Sequence, residues 1–201
     1  MIYIYGDSHA KKCFLNLILP FKDCHEQSIT MHRIGRDNII INCNPADHDD
    51  NSVICLLYGE VDCRCHIQRQ IHLGKNEDDI IYELVVNYFN TIANNIQMCK
   101  KVIIVAIVPP TKQCEYEHIH GPIDHDFPFV GSDEDRVRFT NKMNRLLEHF
   151  CSKNDNYIFF DPYVYYKDKD GNLIFQMSDT YGHILQNAVF LEKFVELYET
   201  I

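Results

Sequence analysis

The chain has 201 residues, of which 46% are apolar and 24% charged, with a formal net charge of −10. That length suits a single domain, residues 1–201, with a buried core. The acidic balance and scattered Lys and Arg argue against a nucleic-acid partner, which needs a basic face. The longest apolar run, residues 102–110, is too short to cross a bilayer, and the first residues lack the basic and apolar regions of a leader. These features predict a cytoplasmic protein with no membrane partner. Nine cysteines, an odd count, are expected to be mostly free thiols.

Residues 2–5 are a short apolar run rich in β-formers and predict a buried first strand. Gly6 breaks it, and residues 10–19 carry apolar positions at helical spacing. Asp7, Ser8 and His9 therefore sit on a tight strand-to-helix turn. Such a turn places the Ser8 hydroxyl among backbone N–H groups that favour a developing negative charge, which suits an acyl-transfer nucleophile. A plain helix cap is the other reading, since Asp and Ser are both preferred there.

Residues 28–32 predict a second strand, followed by Gly35 and Asn38. Residues 52–58 predict a third strand, apolar enough to be buried on both faces. A helix is expected over 78–98, a fourth strand over 101–108, a long amphipathic helix over 134–151, a fifth strand over 157–160 and a closing helix over 184–198. Residues 115–131 form a polar loop suited to a lid or a substrate-binding segment. Strands alternating with helices predict a three-layer α/β/α sandwich with a mostly parallel five-stranded sheet. Ligands of such sheets sit beyond the carboxyl ends of the strands. Ser8, Gly35, residues 59–64, Pro109-Pro110 and His183 all fall on that edge in this reading.

Near the C-terminal end lies Ser178-Asp179-Thr180-Tyr181-Gly182-His183. A serine needs a base, and that base needs a group to orient it. Asp179 and His183 complete such a set with Ser8. Taken singly, they read as surface loop residues.

With these segments in place the chain resembles an SGNH (GDSL-type) hydrolase over almost its whole length. Gly6-Asp7-Ser8 matches the family's first block, with Ser8 as nucleophile. Tyr58-Gly59-Glu60-Val61-Asp62 stands where its third block belongs, and Asp179 with His183 stands at its fifth. Gly35 is the candidate for the second-block glycine whose N–H binds the oxyanion. Residues 58–64 further resemble a subgroup with a GE-hydrophobic-DCR signature, often associated with glycan loci.

The resemblance implies a serine esterase acting on an acyl ester, most plausibly an O-acetyl group on a carbohydrate. In that reading Ser8 is catalytic with His183 and Asp179, while Gly35, Gly59, Arg64, Asp7, Asn38, Glu60 and Asp62 bind the oxyanion or substrate. No cofactor is expected. A glycan O-acetyltransferase, or a catalytically degenerate glycan-binding member, are the alternatives.

Two departures stand out. Val61 occupies the position of a third-block asparagine and cannot donate a side-chain hydrogen bond. Arg64 is the nearest replacement donor, or else a buried partner of Glu60 or Asp62. Asp179 also lies four residues before His183 where the family has three, an offset that Gly182 is placed to absorb.

Other constellations are weaker. Cys63-Arg64-Cys65-His66 with His118, His120 and His125 lacks the spacing of a closed zinc site, so no metal is expected. No phosphate-cradling glycine loop is present, and Asp168-Lys169-Asp170-Gly171 reads as a β-turn.

Overall fold

The computed structural model describes residues 1–123 and 127–201. Five strands form one sheet: β1 (Ile2–Gly6), β2 (Phe21–Asp23), β3 (Val53–Leu57), β4 (Lys101–Val105) and β5 (Tyr157–Phe160). Their spatial order is β2-β1-β3-β4-β5, and every neighbouring pair is parallel. The helices are α1 (Ser8–Cys13), α2 (Met31–Asp37), α3 (Ile67–His72), α4 (Glu77–Asn95), α5 (Gln113–His120), α6 (Asp133–Cys151) and α7 (Ala188–Glu199). A π turn at Asp62–His66 leads into α3. Among the described residues no helix is long and apolar enough to cross a membrane.

The strand period of two divides the core between the two faces. Tyr3, Tyr5, Ile54, Leu56, Val102 and Ile104 face a layer containing α2, α4 and α6. Ile2, Ile4, Val53, Cys55, Ile103 and Val105 face α1 and α7, where Phe14, Phe190 and Phe194 pack edge to face. The result is the expected α/β/α sandwich with a five-stranded parallel sheet.

Several boundaries differ from the sequence reading, each for a physical reason. The first helix stops at Cys13 rather than residue 19, and the chain turns at Asn16 with a left-handed φ of 71°. Residues 28–32 are not a strand. Thr30 instead caps α2 by accepting from the Arg33 N–H, and the Asp62 carboxylate accepts from Met31 N at 2.6 Å and His32 N at 3.1 Å. The second strand lies earlier, as a three-residue edge piece. The closing helix begins at Ala188, because Ile184 is held in an isolated bridge to Ser178. Part of the 115–131 loop is helical, as α5. All nine cysteines are free.

The short helix behind Ser8 is tied down from the far end of the chain. The Asn187 side-chain amide donates to the carbonyls of Lys12 (3.2 Å), Cys13 (3.0 Å) and Leu15 (2.5 Å). These carbonyls lie at the frayed end of α1, where intrahelical partners run out. Asn187→Ala is therefore expected to lower unfolding stability by about 1–3 kcal/mol, because the buried Cys13 carbonyl and two part-buried ones lose their donor. Thermal or urea unfolding checks this, and an unchanged midpoint would contradict it.

Candidate active site

Ser8 stands at the first position of α1, immediately after β1. The cap is Asp7, whose Oδ1 accepts from the His9 N–H at 2.9 Å, so the Ser8 hydroxyl is not consumed by capping. Ser8 Oγ lies 2.9 Å from His183 Nε2. On the other side of that ring, Nδ1 lies 3.1 and 3.0 Å from the two oxygens of Asp179. A carboxylate at Nδ1 keeps the proton there and leaves Nε2 as an acceptor for the serine hydroxyl.

The four-residue offset of Asp179 is absorbed in the loop. Asp179 Oδ1 also accepts from the backbone N–H of Tyr181 and of His183, each at 3.0 Å, and the Asp179 N–H donates to the His183 carbonyl. Gly182 closes this turn with a φ of 85°, a conformation glycine adopts without strain.

The pair lines a cavity of about 180 Å³ with Asp7, His9, Ser28, Glu60, Val61 and Arg64. Pro109 and Thr111 border it after β4, and Tyr116, Phe127, Phe129 and Tyr181 form an aromatic wall. Tyr116 belongs to α5, so the segment expected to be a lid or a substrate-binding element borders the cavity. The Arg136 guanidinium, buried on α6, sits 4.8 Å over the Phe129 ring. His120 stacks on Tyr181 at 4.3 Å.

Beneath the serine lies a compact group of charges. His9 Nε2 is 3.3 Å from Glu60 Oε2, and Arg64 Nε is 3.3 Å from Glu60 Oε1. Burial alone would raise the Glu60 pKa, yet the Arg64 guanidinium and His9 hold it down, at about 2. Burial pushes Asp7 up to about 6, against the pull of His9. His9 is shifted up: burial opposes its charge, but Asp7 and Glu60 outweigh burial, so the ring is held protonated. His183 goes the other way, down to about 4, through burial and the nearby charge of His9, which together outweigh Asp179. The two imidazole centroids are 4.7 Å apart. Burial also acts to raise Asp179, but the backbone N–H and ring of His183 keep it below the usual carboxylate range.

Not every expected site residue reaches this cavity. Gly35 lies inside α2, where a Cβ would fall 2.7 Å from Asn87 Cβ; its role is close helix packing. Asn38 is the left-handed C-cap of α2 and bonds to Asn94 and Asn95. Asp62 is fully buried and caps α2. Its pKa is pushed up by burial to about 7, although the Met31 and His32 N–H groups resist the shift. Gly59 has a φ of 113° and packs on Ile107 rather than lining the cavity.

Ser28, and not Gly35, borders the cavity, with a left-handed φ of 58°. Among the described residues no group accepts from the backbone N–H of either Ser8 or Ser28. Of the residues the sequence reading missed, His9 was visible as the neighbour of Ser8. Ser28 carried no signal, because a left-handed serine is set by its surroundings.

Cys63 and Cys65 are buried, and burial pushes the Cys65 thiol up to about 11. Among the described residues no three His, Cys, Asp or Glu side chains are grouped to hold a metal ion. His125 lies outside the described residues.

No family model matches the sequence, and no curated protein matches it. Solved structures do resemble the fold. A Streptococcus pneumonia protein assigned as a platelet activating factor aligns with a TM-score of 0.63 at 14% identity, over 98% of this chain and 82% of that one. A GDSL-like lipase from Bacteroides thetaiotaomicron aligns at 0.53 and 13%, over 99% and 85%. A catalytic mutant of an acetylxylan esterase from Geobacillus stearothermophilus aligns at 0.53 and 12%, over 96% and 92%. At these identities the likeness is one of fold: the three structures share this chain's α/β architecture.

The electrostatics generate a direct test. By NMR, the His183 ring is expected to titrate near pH 4, well below the ordinary histidine value of 6.5. His9→Gln removes a neighbouring positive charge and should move that midpoint upward. A wild-type midpoint near 6.5, or no movement in the variant, would contradict the assignment.

Proposed function

We propose that the chain is a serine esterase that cleaves a short acyl ester, an O-acetyl group on a carbohydrate. The observation that carries this reading is the continuous contact from Ser8 Oγ through the His183 ring to the Asp179 carboxylate. A serine and a neutral imidazole at 2.9 Å, with a carboxylate behind the ring, form a nucleophile, base and orienter in working geometry.

Ser8 Oγ attacks the acyl carbonyl and its proton passes to His183 Nε2. The carbonyl π electrons move to oxygen, and Asp179 stabilises the resulting imidazolium. Collapse of the tetrahedral intermediate expels the sugar alkoxide, which takes the proton from Nε2 and leaves an acyl-Ser8. Water then repeats the sequence: His183 takes its proton, a second tetrahedral intermediate forms, and acid and free Ser8 result. The backbone N–H groups of Ser8 and Ser28 are the oxyanion donors in this account, since both border the cavity without another acceptor. Arg64 supplies positive charge on the same side, where Val61 provides no donor.

The size of the cavity favours a small acyl group, and the aromatic side chains at its mouth suit the apolar face of a sugar ring. The residues 58–64 signature, with its glycan associations, points the same way. So does the architecture shared with an acetylxylan esterase.

Ser8→Ala is expected to reduce hydrolysis of a short-chain acyl ester by at least about 10⁴-fold, and Asp179→Asn by about 10⁴-fold through the wrong His183 tautomer. Because Asp7 provides the cap, Ser8→Ala should shift stability by no more than about 0.5 kcal/mol. Wild-type turnover in Ser8→Ala would overturn the reading.

Arg64 both pairs with Glu60 and borders the cavity, so kinetics and stability must be measured on one variant. Arg64→Lys is expected to lower kcat by about 10²–10³-fold with little change in KM. An unchanged kcat in a protein with a lower Tm would confine Arg64 to holding Glu60.

A further inference from the structure

A second cavity, of about 220 Å³, opens between α2, the π turn with α3, and α4. Its floor is apolar, formed by Met31, Ile80 and Leu84, and its walls carry His32, His66, Arg36 and Lys75. None of these residues borders the Ser8 cavity. The rings of His32 and His66 stack across it with centroids 4.1 Å apart and an interplanar angle of 25°.

The lining carries two cations, Arg36 and Lys75, against one carboxylate, Glu83, in a chain whose net charge is −10. From α2 come Arg33, Arg36 and Asp37; from α3, Arg69; from the turn after α3, Lys75; from α4, Glu83. Asp62 lies buried beneath, on the His32 N–H. Arg36 is held by Asp37 at 2.7 Å, and Arg33 reaches the same carboxylate at 3.6 Å. Of these, Arg36, Lys75 and Glu83 line the cavity itself, while Arg33, Asp37 and Arg69 lie outside its lining. Among the described residues Lys75 and Arg69 have no carboxylate partner.

We propose that this cavity is a second ligand site, for a small molecule bearing a phosphate or sulfate group, held by Lys75, Arg36 and the stacked pair His32 and His66. Ammonium, guanidinium and imidazole N–H groups around one concavity are the donors a tetrahedral oxyanion uses. The apolar floor takes the carbon skeleton that carries the group. In the unliganded protein both rings are held neutral. Burial lowers His32, with Arg36 and Lys75 adding to the effect. Burial lowers His66 to about 4, with His32, Lys75 and Arg69 adding. A dianion seated between them offsets these cations and draws protons onto the rings, so binding strengthens as the pH falls. The site stands apart from the esterase reading.

The probe is inorganic sulfate, which stays dianionic across the working pH range, added to the intact chain at constant ionic strength with chloride as the balancing ion. The His32 and His66 ring resonances are expected to shift saturably, and more tightly at lower pH, while His183 stays in place. Lys75→Ala should weaken binding by about tenfold and leave ester turnover unchanged. A parallel titration with glucose 6-phosphate separates the sources: tighter binding than sulfate assigns a phosphate monoester, and equal affinity assigns the bare oxyanion. Absence of saturable shifts with both probes overturns the proposal. So does equal affinity in wild type, Lys75→Ala and His66→Ala, because the anion would then sit elsewhere.

Discussion

The hydrogen bond between Ser8 Oγ and His183 Nε2 joins two turns 175 positions apart in the chain, and the geometry of everything nearby follows from holding them together. One turn leaves the inner strand β1, and the other precedes the last helix. A parallel sheet delivers the carboxyl end of every strand to one edge, so β1, β3 and β4 all open onto the same cavity. The contact is braced from both sides. Asn187 holds the end of the helix that carries Ser8, and the Asp179 turn fixes the ring that faces it. A base on a mobile loop would spend part of its time out of reach, so these braces preorganise the pair.

Charge is the second constraint. Asp7, His9, Glu60 and Arg64 are packed beside the serine, where isolated charges are costly. They persist as a set because each finds an opposite neighbour, and the arrangement separates the two histidines in function. His9 lies between two carboxylates and keeps its proton. His183 has one carboxylate and faces His9, and is left neutral. The π turn at Asp62–His66 distributes further groups from one short segment. Arg64 goes to the serine cavity, Asp62 to the cap of α2 and His66 to the second cavity. An Asp62 carboxylate taking two backbone N–H groups therefore links the walls of both.

Much of this was legible in the sequence because it is local. The strand β1, the turn at Gly6 and the pairing of Asp179 with His183 rest on residues close together along the chain. The buried strands β3 and β4 announce themselves by apolar runs that few other structures tolerate. What could not be read depends on distant partners. Residues 28–32 alternate enough to suggest a strand, and the Asp62 carboxylate, some 30 positions on, joins the Thr30 cap in making Met31 and His32 the start of a helix. That error moved Gly35 onto the strand edge when it belongs in a helix contact with Asn87. Ser28 was invisible for the complementary reason: its left-handed backbone is imposed by tertiary structure rather than by residue type. Arg136 carries no local signal of burial, yet it is buried against Phe129 in the aromatic wall.

The central claim is that Ser8 is an activated nucleophile, and a fluorophosphonate probe tests it most directly. Such a reagent reacts with a serine whose proton is taken by a neighbouring base, and leaves an ordinary hydroxyl untouched. Intact-mass and peptide mapping of the treated chain should show a single adduct on Ser8, absent when His183→Ala removes the base. An unmodified Ser8 in the folded wild-type protein, or an adduct that persists undiminished without His183, would contradict the account.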